Sequence, residues 1–364
     1  MKLNANKCKV VIFSRGIVRN YPEFYIGNDT IEVVRDFTYL GIKLNYNNRF
    51  NVAQKDLYDR GFRAMFALIK KGKNLNLPLD VMVDLFDSMV LPVLLYGCEV
   101  WGFQYIYLIE KLQIQFYKII FRLRSSTPTL MIFGETGKFP LVISIKTRIL
   151  MYWFNLTCQK NRNKLASIIY QLMYTRHANN THANMYITFI KNTLIEIGLP
   201  GVWENQNVTN MTKACFKNYI KTTLQNQFIQ KWQSTLDNES IYTIYRMSNV
   251  TFRQRPHIRI LVNSCSVPII RFMTTNNNLP INTQRYEGID RRERLCRKCE
   301  LDVVGDEFHY IFVCPFFQQK RNELLPQTYI QRPNVSTFEQ LINTDDKYVL
   351  LKLKHFICII DKSM

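Results

Sequence analysis

Four residues constrain this chain more than any others: Cys296, Cys299, His309 and Cys314, in the spacing Cys-x2-Cys-x9-His-x4-Cys. Two thiols two residues apart grip a metal from one side of a tight turn. A histidine and a third cysteine close a tetrahedron from the other. Zn²⁺ takes four sulfur or nitrogen donors at about 2.0–2.3 Å, and a Cys3His set with no open position is structural rather than catalytic. Nine cysteines in 364 residues could produce one Cys-x2-Cys by chance, but the His-x4-Cys partner at a workable distance favours structural zinc. Gly305 lies between the two ligand pairs, where the chain has to reverse. Arg291, Arg292, Arg294, Arg297 and Lys298 crowd the first pair, and Phe308, Tyr310, Phe312, Phe316 and Phe317 surround the second. Cations interleaved with aromatics suit a single strand of RNA or DNA, through phosphate contact and base stacking. The simpler alternative for the basic residues is a solvated entry loop.

The charge of the whole chain points the same way. Lys and Arg number 48 against 28 Asp and Glu, a net charge of +20. Such a field attracts polyanions, nucleic acid before an anionic membrane surface. The excess is greatest between residues 151 and 255, which carry twelve basic and four acidic residues. One apolar run, Val90 to Ile109, has the length to span a bilayer. Pro92, Glu99 and Gln104 interrupt it and Tyr96-Gly97 reads as a corner, so two buried helices are expected and no membrane partner. The odd, scattered cysteines and the lack of a leader-like opening suggest a reducing compartment, nuclear or cytoplasmic and not secreted. The Asn-x-Ser/Thr sites at Asn28, Asn155, Asn207 and Asn249 then follow from high asparagine usage alone.

Along the chain the pattern is mainly α with a small N-terminal β portion. Val10 to Phe13 reads as a short strand, Gly27-Asn28-Asp29 as a turn before Ile31, and Phe37 to Leu44 as a β-rich run. Helical periodicity begins at Asn51. Helices are expected after Pro78, near 105–123, from Ile145 to about Met173, near 183–197 and 213–235, and from Asp345 to Ile360. The segment holding His177 and His182 reads as a linker, Gly198-Leu199-Pro200-Gly201 as a stop, and Ser336 to Glu339 as a capping box. Gly134-Glu-Thr-Gly-Lys138 lacks the spacing and the feeding strand of a phosphate-binding loop.

Taken in order, Lys7 to Phe13, Phe37-Thr-Tyr-Leu-Gly-Ile42, Leu95-Tyr-Gly-Cys-Glu-Val-Trp-Gly102 and the Cys3His set followed by Pro315 resemble the C-terminal part of a LINE-type, non-LTR retrotransposon reverse transcriptase. The resemblance implies five regions. Residues 1–48 would be the end of the palm with a primer-grip-like hairpin at Tyr39, Leu40 and Gly41, for which plain strand core is the other reading. Residues 49–176 would be a helical thumb, 177–280 a helical linker, 281–326 a CCHC zinc knuckle and 327–364 a C-terminal helical tail. The family's paired catalytic aspartates are absent; Asp345-Asp346, in a polar turn before a helix, suit a helix N-terminus instead. Magnesium would matter only if an upstream catalytic palm joined this chain. The resemblance therefore implies a non-catalytic nucleic-acid-binding fragment. Two alternatives stand beside it. One is an adaptor that binds protein partners and uses zinc only to fold. The other is an RNA-directed DNA polymerase completed by an upstream polymerase and endonuclease portion of the same element.

Overall fold

The computed structural model describes residues 4, 7–14, 21–47, 49–104, 107–179, 184–208, 211–248 and 251–364. Among them strands are confined to two hairpins. β1 (Phe24–Ile26) and β2 (Asp29–Ile31) pair antiparallel across Gly27-Asn28. β3 (Asp36–Tyr39) and β4 (Ile42–Asn45) pair across Leu40-Gly41, with Phe37 opposite Leu44. Leu40 and Gly41 both have positive φ, 46° and 82°, the backbone pair whose twist fits a two-residue hairpin. The expected strand at Val10–Phe13 is reduced to one parallel bridge, Val10 to Val33. Its apolar run has no wide sheet to enter, and Phe13 is 53% exposed. The rest is helical, so the fold is mainly α with a small N-terminal β portion.

The described chain divides into two compact units. The first comprises residues 1–64, 89–112 and 141–223. Here the apolar run after Val90 folds into two short helices, Leu91–Leu94 and Cys98–Trp101, turned at Tyr96-Gly97, with Gly97 at φ 64°. No helix among the described residues is long and apolar enough to cross a membrane. Trp101 is fully buried and its indole N–H donates to the Tyr96 carbonyl at 2.8 Å. Trp153 donates to the Tyr170 hydroxyl at 2.7 Å, which donates in turn to Gln206 Oε1 at 2.6 Å. Burying an indole with its N–H satisfied keeps the apolar gain without an orphaned donor. The long helix expected from Ile145 is broken into Leu141–Thr157 and Leu165–Ala178, where Asn161 folds back to donate to the Asn155 carbonyl at 2.8 Å. His177 lies in the last turn of the second of these and accepts from the Asn184 amide. His182, Asn249 and Tyr105 fall outside the described residues.

The second unit comprises residues 65–88, 113–140 and 224–364. One cluster packs Met131, Trp232, Leu236, Tyr242 and Tyr245 together. Beside it the carboxylate of Glu135 and the imidazole of His257 meet at 2.9 Å, both essentially inaccessible. A larger core joins Phe272, Tyr310, Phe312, Phe317 and Phe338 to Leu350, Leu353, Phe356 and Ile360 of the closing helix, Lys347–Ser363. Full burial of such a side chain contributes about 1.5–3 kcal/mol relative to exposure. Asp346 caps that helix by accepting from the amides of Tyr348 and Val349, and Asp345 pairs with Arg259 at 2.9 Å. The paired aspartates thus serve a helix start and a surface ion pair. The capping box before them is Asn334 with Thr337, two residues upstream of Ser336. Lys138 of the rejected phosphate-loop string pairs with Asp84 and Asp87 at 3.1 and 2.6 Å.

A Cβ on Gly134 would stand 2.4 Å from the Tyr245 hydroxyl and 2.9 Å from the Trp232 ring. Gly134→Ala is therefore expected to destabilise the second unit by about 1–3 kcal/mol through overpacking. Gly201→Ala, where nothing lies within 4 Å, is expected to change stability by less than about 0.5 kcal/mol. Urea unfolding of the two variants beside the parent checks both.

Candidate metal centre and basic surface

The first ligand pair sits on a turn closed by a single antiparallel bridge, Leu295 to Val304, in which the Cys296 amide donates to the Val303 carbonyl at 2.9 Å. The reversal falls at Asp302, at φ 49°, rather than at Gly305. Gly305 instead lets two backbones approach closely: a Cβ there would stand 3.1 Å from the Cys296 Cα and from Pro280. The second pair sits on a wide turn, His309–Val313, in which the Cys314 amide donates to the His309 carbonyl at 2.8 Å. That i to i+5 bond is the π-turn pattern, and it explains the His-x4-Cys spacing by bringing residues five apart to one side. Asp306 Oδ1 accepts from the His309 amide at 2.9 Å and fixes the start of the turn.

These turns bring the four predicted residues together. One ligand atom from each of Cys296, Cys299, His309 and Cys314 lies within 4.8 Å of all the others. The Sγ atoms of Cys296 and Cys314 are 3.9 Å apart, and Cys299 Sγ is 3.5 Å from His309 Nε2. A tetrahedron with metal–sulfur bonds of about 2.3 Å and metal–nitrogen bonds of about 2.0–2.1 Å has edges of roughly 3.8 Å between sulfurs and roughly 3.5 Å between sulfur and nitrogen. Both measured edges match, so the cluster could hold a metal ion with all four positions filled by protein.

The surroundings favour the ligand forms unevenly. Burial, with help from the Arg321 charge, lowers the His309 pKa and favours the neutral imidazole. Burial pushes Cys296 up, but the Tyr310 hydroxyl 3.2 Å from its sulfur and the Lys298 and Cys299 amides outweigh it and hold the thiol below its usual range. Burial pushes Cys314 up to about 12, and the nearby Cys296 and Cys299 add to this. A bound cation would reverse that direction, because a coordinating thiol is deprotonated outright. Arg321, buried beneath the turn, donates to the carbonyls of Ile311 at 2.6 Å and Cys314 at 2.8 Å.

The five predicted basic residues do not form one uniform stripe. Arg292 and Arg297 are exposed. Lys298 is half-buried, its ammonium 5.6 Å from the ring centre of Phe316. Arg291 and Arg294 are half-buried and line a cavity together with Arg285, a residue outside the five. Of the aromatics, Tyr310, Phe312 and Phe317 belong to the core, whereas Phe316 is 60% exposed and can offer a face. The aromatics of the wide turn face the core and only Phe316, just beyond it, is largely exposed, which composition alone does not reveal. Buried Arg321 was likewise invisible in the sequence, where it reads as one more surface cation.

In the first unit Tyr39, Leu40 and Gly41 form the tip of the β3–β4 hairpin. Tyr39 is 59% and Leu40 73% exposed, so neither is strand core. The tip is held from below: the Tyr96 hydroxyl donates to the Leu40 carbonyl at 2.9 Å and Arg60 to the Gly41 carbonyl at 2.7 Å. A Cβ at Gly41 would stand 3.3 Å from the Tyr96 ring, and one at Gly97 3.0 Å from Ile42. Two of the three sequence strings that carry the family resemblance in this unit, Phe37–Ile42 and Leu95–Gly102, therefore touch each other.

Over 110 residues the chain is 30% identical to a transposon-derived protein of Caenorhabditis elegans, F52C9.6. That stretch is 28% of this chain and 37% of the relative, so the chain spans well under half the length of the protein it matches. No family model and no solved structure matches.

Replacing Arg321 with Leu would leave two buried carbonyls without their donors, which costs about 1–3 kcal/mol for each group left unpaired. Arg321→Leu is expected to lower the denaturation midpoint accordingly, and Arg321→Lys to recover part of the loss. Equilibrium unfolding of the two variants checks this.

Proposed function

We propose that this chain is a non-catalytic nucleic-acid-binding part of a retrotransposon reverse transcriptase, with structural zinc on Cys296, Cys299, His309 and Cys314. The observation that carries the reading is the preformed Cys3His cluster with the exposed Arg292 and Arg297, the Lys298–Phe316 pair and half-buried Arg291 and Arg294 close by in sequence. Three thiolates and one imidazole suit zinc, and filling all four positions suits a structural role. A Zn²⁺ ion on three thiolates leaves one net negative charge, which the buried Arg321 would balance. Exposed guanidiniums would then contact phosphates and Phe316 would offer a stacking face. The hairpin tip at Tyr39, Leu40 and Gly41 would meet a primer end, with RNA or DNA as partner. The partial likeness to a transposon-derived protein supports the origin, and the net charge of +20 supports a polyanionic partner.

The second reading, a protein-binding adaptor with a zinc-folded end, draws on the apolar exposed face of the helix Leu165–Ala178, where Leu165 and Leu172 are exposed. The two readings separate on salt dependence. The metal-loaded chain is expected to bind one zinc, lost in Cys299→Ser, and its Co²⁺ form to show the absorption of tetrahedral thiolate coordination. Five phosphate contacts on a single strand give a slope of log affinity against log salt of about −3.5, and Arg292→Ala with Arg297→Ala is expected to reduce it by about 1.4. A flat slope, or metal uptake without any binding of single-stranded RNA or DNA, would overturn the nucleic-acid reading in favour of the adaptor.

A further inference from the structure

A cavity of about 220 Å³ lies within the second unit, and none of the four metal ligands lines it. Three guanidiniums, those of Arg285, Arg291 and Arg294, share its wall. Arg294 is fixed by donating to the carbonyls of Ile289 at 2.9 Å and Ile281 at 3.1 Å. Arg285 lies over the Tyr286 ring, 5.0 Å from its centre. Neither Arg285 nor Arg294 pairs with a carboxylate among the described residues, and Arg291 reaches only Asp306, at 3.9 Å. Like charges gathered in one lining repel one another, and an anion bound among them relieves that repulsion.

The rest of the lining is of a different character. Ile244, Met273 and Ile281 supply an apolar surface. The buried Asn282 and Glu307 also line the cavity, the latter an acidic group whose Oε1 accepts from the Asn277 and Asn282 side-chain amides, both at 2.9 Å. A volume near 220 Å³ is below the ~300–1,000 Å³ of ordinary small-molecule sites and suits a phosphate group rather than a length of strand. Three guanidiniums also exceed what one phosphodiester charge needs, whereas a terminal phosphomonoester carries about −1.5 to −2 and three strong acceptor oxygens. Arginine forks match those oxygens in pairs.

We propose that this cavity holds the terminal phosphomonoester of a single strand on Arg285, Arg291 and Arg294. The proposal rests on the nucleic-acid reading above and adds recognition of a strand end to it.

The test uses the full metal-loaded chain and fluorescence anisotropy with labelled 12-nucleotide strands carrying a 5′-phosphate, a 3′-phosphate or neither. One phosphorylated end is expected to bind about tenfold more tightly than the unphosphorylated strand, as charge-assisted hydrogen bonds allow. Arg285→Gln, which removes a half-buried side chain that donates to the Tyr286 hydroxyl and, among the described residues, to no backbone carbonyl, is expected to erase that preference and leave the unphosphorylated strand within about twofold of the parent. Inorganic phosphate and adenosine monophosphate should both compete with the phosphorylated end, and adenosine should not. Equal binding of all three strands sinks the end-recognition proposal while sparing the nucleic-acid reading, as does a preference that survives Arg285→Gln. Failure of inorganic phosphate to compete also overturns the end-recognition proposal, and binding of no strand removes both readings at once.

Discussion

The wide turn from His309 to Cys314 does two things with the same five residues, and the second unit is built on that coincidence. One side of it presents the buried His309 Nε2 and Cys314 Sγ to the two cysteines of the facing turn. Its inward side sends Tyr310, Ile311 and Phe312 into the core shared with the closing helix. An ordinary α-turn would not bring residues five apart onto one side, so the i to i+5 bond is what allows ligation and core packing together. Arg321 secures the arrangement from beneath by taking up the carbonyls that the wide turn leaves without partners.

Much of this was legible in the sequence where the signal was local. Cysteine spacing fixes which sulfurs can meet, and the four predicted ligands do meet. Helical periodicity set the fold class, and the Tyr96-Gly97 corner within an apolar run was enough to prefer two short helices to one long one. Asp345-Asp346 declared themselves as a helix start by position alone. Errors arose where long-range packing decided. Phe308, Tyr310, Phe312, Phe316 and Phe317 look alike as a string, yet only Phe316 is largely exposed. Gly305 attracts the turn assignment because glycine tolerates positive φ, but Asp302 takes the turn and Gly305 is needed for close approach. Val10 to Phe13 has strand composition, yet a strand needs neighbours and the sequence does not reveal how few there are.

The first unit gives a structural account of a string otherwise recognised only by resemblance. Gly97 turns the chain, Trp101 ties its indole to the Tyr96 carbonyl, and the Tyr96 hydroxyl reaches the Leu40 carbonyl. The exposed tip of Tyr39 and Leu40 is thus braced by a residue more than fifty positions away. Leu40 holds a left-handed backbone that costs an ordinary residue free energy of order 1 kcal/mol. Anchoring both carbonyls of the turn offsets that cost and leaves two apolar side chains pointing outward at a fixed angle.

The shared core around Tyr310, Phe317 and Phe356 has a consequence for modularity. A metal-stapled turn is often pictured as a bead that can be cut from one chain and inserted into another. In this protein the ligands of the second turn stand on side chains that the closing helix buries, and a cut between residues 326 and 327 would bare an apolar face on both pieces. The smallest portable piece is therefore the turn together with its helix, so any rearrangement that moved the metal ligands alone would carry the chemistry without the platform that aims it.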